Sequence, residues 1–169
     1  MKFFIAALLT GFSHFATAQN PIAIPDTLSG TSILLRLHAD STAFINGTKT
    51  FTNAFNSYSY LGPTLILNKG DFVSLTVENQ LMDTSTVHWH GLHVPAVADG
   101  GPHTVILPNT SWLAQFTVKN NAATYWYHPH LHMRTGEQAM RGAAGLIIVR
   151  DSVESTLNLP RTYGVDDFP

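Results

Sequence analysis

From Asp71 to Glu78 the chain alternates strictly, with Val73, Leu75 and Val77 interleaved with Ser74, Thr76 and Glu78. A period of two matches a β-strand with one buried face, because successive side chains point to opposite sides. Trp112, Ala114, Phe116 and Val118 repeat the pattern. Other short β-rich stretches run from Ile33 to His38, Thr64 to Leu67, Thr86 to His90, Thr124 to His128 and Gly145 to Val149. Asn46-Gly47, Gly62-Pro63 and Asn68-Lys69-Gly70-Asp71 between them are turn signals. This succession predicts an all-β sandwich or barrel. Thr135 to Arg141 reads as one short helical turn, and no longer amphipathic helix is expected.

The N-terminus stands outside this pattern. Lys2 precedes an apolar run from Phe3 to Phe12, and Ala16-Thr17-Ala18 forms an A-x-A site before Gln19. These features predict a secretory signal peptide over residues 1–18. The run is too short to span a bilayer as a helix. The expected product is an exported chain, periplasmic or secreted, with no membrane span. Residues 19–150 form one domain with a sizeable core. Residues 151–169 lose the strand pattern, and Tyr163-Gly164-Val165-Asp166-Asp167-Phe168-Pro169 reads as the start of an interdomain linker in a longer protein. Nine Lys and Arg balance eleven Asp and Glu, with no basic run, which argues against a nucleic-acid partner.

His88-Trp89-His90 and His128-Pro129-His130 carry the chemistry. Residues i and i+2 of a strand share a face, so each pair aims two imidazoles the same way. Neutral imidazole is the commonest transition-metal ligand. With no cysteine in the chain, nitrogen-bound copper or zinc is the natural occupant. A blue-copper centre needs a Cys thiolate, so this chain does not build one. Two residues along a strand span about 6.6 Å, whereas a metal–nitrogen bond is about 2 Å. One metal per pair and a cluster of several metals both remain compatible with that spacing. Pro129 lacks a ladder donor and belongs at a strand end or edge. Trp89 points away from its flanking histidines, into the core.

The other histidines carry weaker signals. His14 lies in the leader, and His38 reads as a surface or strand-edge residue. His93 and His103 follow the first pair and either support a ligand from behind or are solvated. His132 continues the i+2 series, but the chain leaves strand geometry after Pro129. Met133 and Met140 suggest soft copper contacts, although methionine more commonly fills gaps in a core.

Val87-His88-Trp89-His90-Gly91-Leu92, followed by Asp99-Gly100-Gly101-Pro102, resembles the first copper motif of the multicopper oxidases. Tyr125-Trp126-Tyr127-His128-Pro129-His130-Leu131-His132, followed by Gly142 to Val149, resembles the second. Gly62-Pro63-Thr64 ahead of Gly70-Asp71 matches the entry to that family's first domain. The His-Pro-His-x-His form is most similar to the bacterial branch of cuprous oxidases and laccase-like enzymes.

The resemblance implies a cupredoxin-like Greek-key β-sandwich holding half of a trinuclear copper site. It implies oxidation of a small reductant, such as cuprous ion or a phenol, coupled to four-electron reduction of O2 to water. His88 would bind the type 2 copper, and His90, His128 and His130 the type 3 pair. Asp99 would assist proton delivery, while its plainer role is to make a turn before two glycines. A complete oxidase needs more histidines, a blue-copper Cys and further cupredoxin domains, so this chain alone is expected to be inactive. Missing C-terminal domains, or another chain, would complete the cluster. Rival readings are a stand-alone copper chaperone or storage module, a mononuclear zinc hydrolase using three of the histidines, and a structural sandwich with incidental histidines.

Overall fold

The computed structural model describes residues 22–168, so the leader expected over residues 1–18 lies outside the described residues. Two mixed sheets face each other. The first has the order β1-β4-β9-β8-β6 and the second the order β3-β2-β5-β7. The first contains β1 (Thr27–Ser29), β4 (Thr64–Asn68), β9 (Gly145–Arg150), β8 (Ala123–His128) and β6 (His88–His90). The second contains β3 (Thr48–Phe55), β2 (Ser32–Ile45), β5 (Phe72–Asn79) and β7 (Thr110–Thr117).

The alternating strands behave as their pattern dictates. Val73, Leu75 and Val77 of β5 and Ala114 and Phe116 of β7 are buried, and they face Leu65, Leu67, Ile147 and Val149 of the other sheet across one core. This is the cupredoxin-like sandwich that the resemblance implies. The one α-helix among the described residues, α1 (Thr135–Met140), occupies the expected helical turn. No helix among them is long and apolar enough to cross a membrane.

Three differences from expectation have physical causes. β2 runs on to Ile45, past His38, and turns through Asn46-Gly47 into β3. That partner strand shows no period of two, because its first half is exposed and Thr52 to Phe55 are all buried. β1 is three residues of parallel pairing to β4, too short for any periodicity. Thr86 and Val87 fall outside β6, because Pro129 stops the ladder on the facing strand.

Two close contacts seat the strands that matter for the site. The Tyr127 hydroxyl, fully buried, donates to the Pro63 carbonyl at 2.8 Å. Gly62 makes that approach possible, since a Cβ there would lie 2.5 Å from the same hydroxyl oxygen. After β9 the chain stays on the domain. Arg150 contacts Glu154 and Asp167, and the Tyr163 hydroxyl donates to the Pro25 carbonyl.

Candidate metal centre

β6 runs antiparallel to β8, pairing His88 with His128, Trp89 with Tyr127 and His90 with Trp126. Facing residues share a side of the sheet. Three histidines and Trp126 therefore project outward, while Trp89 and Tyr127 enter the core. Trp89 is fully buried as expected, its ring 6.0 Å from that of Trp112 and nearly parallel to it. β8 ends at His128, so Pro129 sits at a strand end. His130 follows, and its N–H donates to the Thr86 hydroxyl at 2.6 Å.

All four rings meet on this face. His88 lies 5.7 Å from His90, 5.6 Å from His128 and 5.2 Å from His130 between ring centroids. One ligating atom each from His88, His90 and His128 falls within 4.8 Å of the other two. Two nitrogens bound to one ion sit at most about 4 Å apart. The observed spread suits either a small closure around one ion or a shared arrangement around several. The His130 ring lies beside His88 but is 6.2 Å from His128.

Hydrogen bonds orient the ring nitrogens. His88 Nδ1 donates to the Asp99 carbonyl at 2.9 Å, and the Asp99 carboxylate is 3.3 Å away. His128 Nδ1 donates to the Pro129 carbonyl at 2.7 Å. Both rings thereby keep Nε2 as an acceptor, the usual way a backbone carbonyl fixes a ligating tautomer. His90 Nδ1 lies 3.1 Å from His128 Nε2, so their nitrogens already converge. Burial lowers the pKa of His128, and the neighbouring imidazoles act in the same direction against the Pro129 contact. Lowering favours the neutral form that binds metal. A set of convergent imidazoles without thiolate fits copper or zinc.

Asp99 ends a short turn of 3-10 helix over Ala96–Ala98. Gly100 follows at φ +72°, where a Cβ would run into the Val87 carbonyl. The turn and the contact with His88 therefore coexist at one residue. Two residues beside the histidines escaped the sequence reading. Trp126 stacks on His128 with centroids 3.9 Å apart and lies 5.3 Å from His90. Its place two residues before His128 was the available signal. Thr86 likewise stands two residues before His88, but its partner, the His130 N–H, is set by the facing segment.

The remaining candidates lie apart from this group. His38 is half-buried and contacts the Asn56 carbonyl at 2.9 Å through Nε2. His93, His103 and His132 are exposed. Met133 and Met140 are 89% and 81% exposed. Neither fills a core gap, contrary to the commoner use of methionine, because both sit on the outer side of the loop and helix after His130.

A cupredoxin-type sandwich presenting clustered imidazoles has the make-up of a metal-binding domain. Residues 38–154 match the multicopper oxidase family, and the chain belongs to that family. It is 40% identical over 138 residues to the multicopper oxidase mco of Staphylococcus aureus, covering 82% of this chain and 30% of that protein. It is 37% identical over 157 residues to cell division protein FtsP of Shigella dysenteriae, covering 91% of this chain and 33% of that protein. Among solved structures, a bacterial laccase-like multicopper oxidase from Ochrobactrum sp. is similar, with a TM-score of 0.84 and 38% identity over 88% of this chain and 34% of that one. That enzyme acts on lignin model compounds and lignosulfonate. The chain thus spans about a third of the length of the relatives it matches.

Proposed function

We propose that His88, His90, His128 and His130 supply part of a trinuclear copper centre, in an exported oxidase that couples oxidation of a small reductant to reduction of O2 to water. The observation that carries this reading is the convergence of ligating atoms from His88, His90 and His128, with the His130 ring beside them. Family membership supports copper over zinc. His88 is assigned to the type 2 ion and the other three to the type 3 pair. Bound copper would relay to O2 the electrons taken from the reductant and would offer a Lewis-acidic site for oxygen.

The chain's own residues have separable tasks. The Asp99 carbonyl holds His88 in the tautomer whose Nε2 is free to ligate. The Asp99 carboxylate, partly exposed beside His88, is placed to pass protons toward the centre as a general acid. Trp126 covers one face of His128 and keeps water from it. With no cysteine in the chain, electron entry through a blue-copper site falls to further cupredoxin domains or to another chain. Cuprous ion, a phenol or a similar reductant would be oxidised there.

Elemental analysis after copper reconstitution tests the assignment, with the wild-type chain beside His88→Ala and His128→Ala. Copper retained by the wild type and lost from both variants is the expected result. Zinc retained in preference to copper, or metal content indifferent to both substitutions, overturns it.

A further inference from the structure

We propose that Thr86 is a positioning residue, whose hydroxyl sets His130 in register with His88 where the backbone ladder fails. The consequence for metal binding rests on the copper reading above, while the geometry of Thr86 and His130 is independent of it. In the β6–β8 ladder, His88 faces His128 and His90 faces Trp126. Continued by one same-face step, the register brings Thr86 opposite His130. The intervening residue on that side is Pro129, which has no N–H to give the ladder. Pairing stops at His128, and among the described residues no backbone–backbone hydrogen bond ties His130 to the facing segment.

The Thr86 side chain takes over at this point. Its hydroxyl oxygen accepts the His130 N–H at 2.6 Å, and Thr86 is fully buried. The bond ties the second metal segment to the segment that leads, two residues later, into His88. Thr86 is itself held from behind. The Ser85 hydroxyl contacts the Thr86 carbonyl at 3.2 Å and donates to buried Gln138 at 2.9 Å. Gln138 also donates to the Thr84 carbonyl at 2.7 Å, so α1, which follows His130, closes the loop onto the same segment. Removing the hydroxyl leaves the His130 N–H without its partner and frees the loop to move out toward solvent. His130 is the histidine that stands outside the tight group of three, so it depends most on such an anchor.

The contrast between Thr86→Val and Thr86→Ser separates hydroxyl from shape. Valine keeps the packing and removes the acceptor; serine keeps the acceptor and removes a methyl. The readouts are amide hydrogen exchange at His130 in the metal-free chain and titration of the chain with Cu(II) alone. Thr86→Val is expected to speed His130 exchange and to weaken Cu(II) binding, each on the order of tenfold. Thr86→Ser is expected to match the wild type in both. If Thr86→Val does not fold, Thr86→Ala set against Thr86→Ser reads the same hydroxyl. Unchanged exchange in the hydroxyl-free variants, or a Thr86→Ser defect as large as that of Thr86→Val, overturns the proposal. A chain that takes up no Cu(II) either alone or together with the domains that complete the cluster overturns the copper reading instead, and the exchange contrast still decides the role of Thr86.

Discussion

His88 and Asp99 are joined through the backbone: the imidazole Nδ1 donates to the Asp99 carbonyl oxygen at 2.9 Å, closer than to the Asp99 carboxylate at 3.3 Å. The orientation of His88 therefore does not depend on the side chain beside it. Asp99→Asn should leave copper content after reconstitution unchanged, because the carbonyl that fixes the ring remains. If the carboxylate moves protons, the same substitution in a complete oxidase should lower turnover by about 10²-fold or more. Loss of copper from Asp99→Asn would show that the carboxylate holds the site together instead.

Gly100 is the structural partner of that arrangement. Its φ of +72° and the nearness of the Val87 carbonyl leave no room for a side chain. Gly100→Ala should destabilise the chain by about 2 kcal/mol or more, since left-handed strain and backbone displacement both act. Urea denaturation checks the stability. Copper analysis of the folded fraction should show reduced retention, because the displaced segment carries the carbonyl that orients His88.

Trp126 separates site order from fold stability. It is 38% exposed, yet its ring stacks on His128 and approaches His90. Trp126→Ala should shift stability by no more than about 1 kcal/mol. It should also weaken copper binding, because His128 then loses the plate that limits its rotation. Trp126→Phe should restore most of that binding. Equal copper affinity in all three proteins would remove Trp126 from the site.

The histidine pairs and the core were legible in the sequence because both follow a period of two. Val73, Leu75 and Val77 name their own buried face, and His88 and His90 name theirs. Thr86 was not legible as an anchor, because its role depends on which residue of a second strand lies opposite, whereas the same-face place of Trp126, two residues before His128, was there to be read. Register is a property of two segments that one pattern cannot show. β3 was hidden for another reason: the Asn46-Gly47 turn announced it, but Thr52 to Phe55 are buried on both faces, which erases the alternation.

Tyr127 gives the fold a measurable alkaline limit. Burial pushes its phenol well above the ordinary tyrosine range, and its hydroxyl donates to Pro63. The folded chain keeps this proton while the unfolded chain releases it near pH 10. The unfolded state therefore binds fewer protons, and stability falls as pH rises above about 10. Tyr127→Phe removes both the ionisation and the hydrogen bond. It should cost about 1 kcal/mol at pH 7 and show a shallower decline of Tm from pH 9.5 to 11. Parallel declines in the two proteins would mean that other groups set the alkaline limit.

Arg150 decides whether the segment after β9 remains seated on the sandwich. Its guanidinium contacts Glu154 at 3.2 Å, Asp167 at 3.0 Å and the Arg161 carbonyl at 3.2 Å. Arg161 closes the network by contacting Glu154 at 2.9 Å. The Arg150 and Glu154 side chains are only 19% and 13% exposed, so solvent screens them less than it screens a surface pair. Arg150→Ala leaves Asp167 short of a cation and the Arg161 carbonyl short of a donor, while Glu154 keeps only Arg161. The substitution should destabilise the chain by about 2 kcal/mol. Before any global unfolding, it should expose residues 151–168 to limited proteolysis, because the network spans that segment and its loss is local. The histidine cluster lies on β6, at the end of β8 and just beyond it, away from this network, so copper retention should stay at the wild-type level. Cleavage that is no faster in Arg150→Ala than in the wild type would place the hold on this segment elsewhere, with the Tyr163 hydroxyl and its Pro25 and Thr64 partners the next contacts to break.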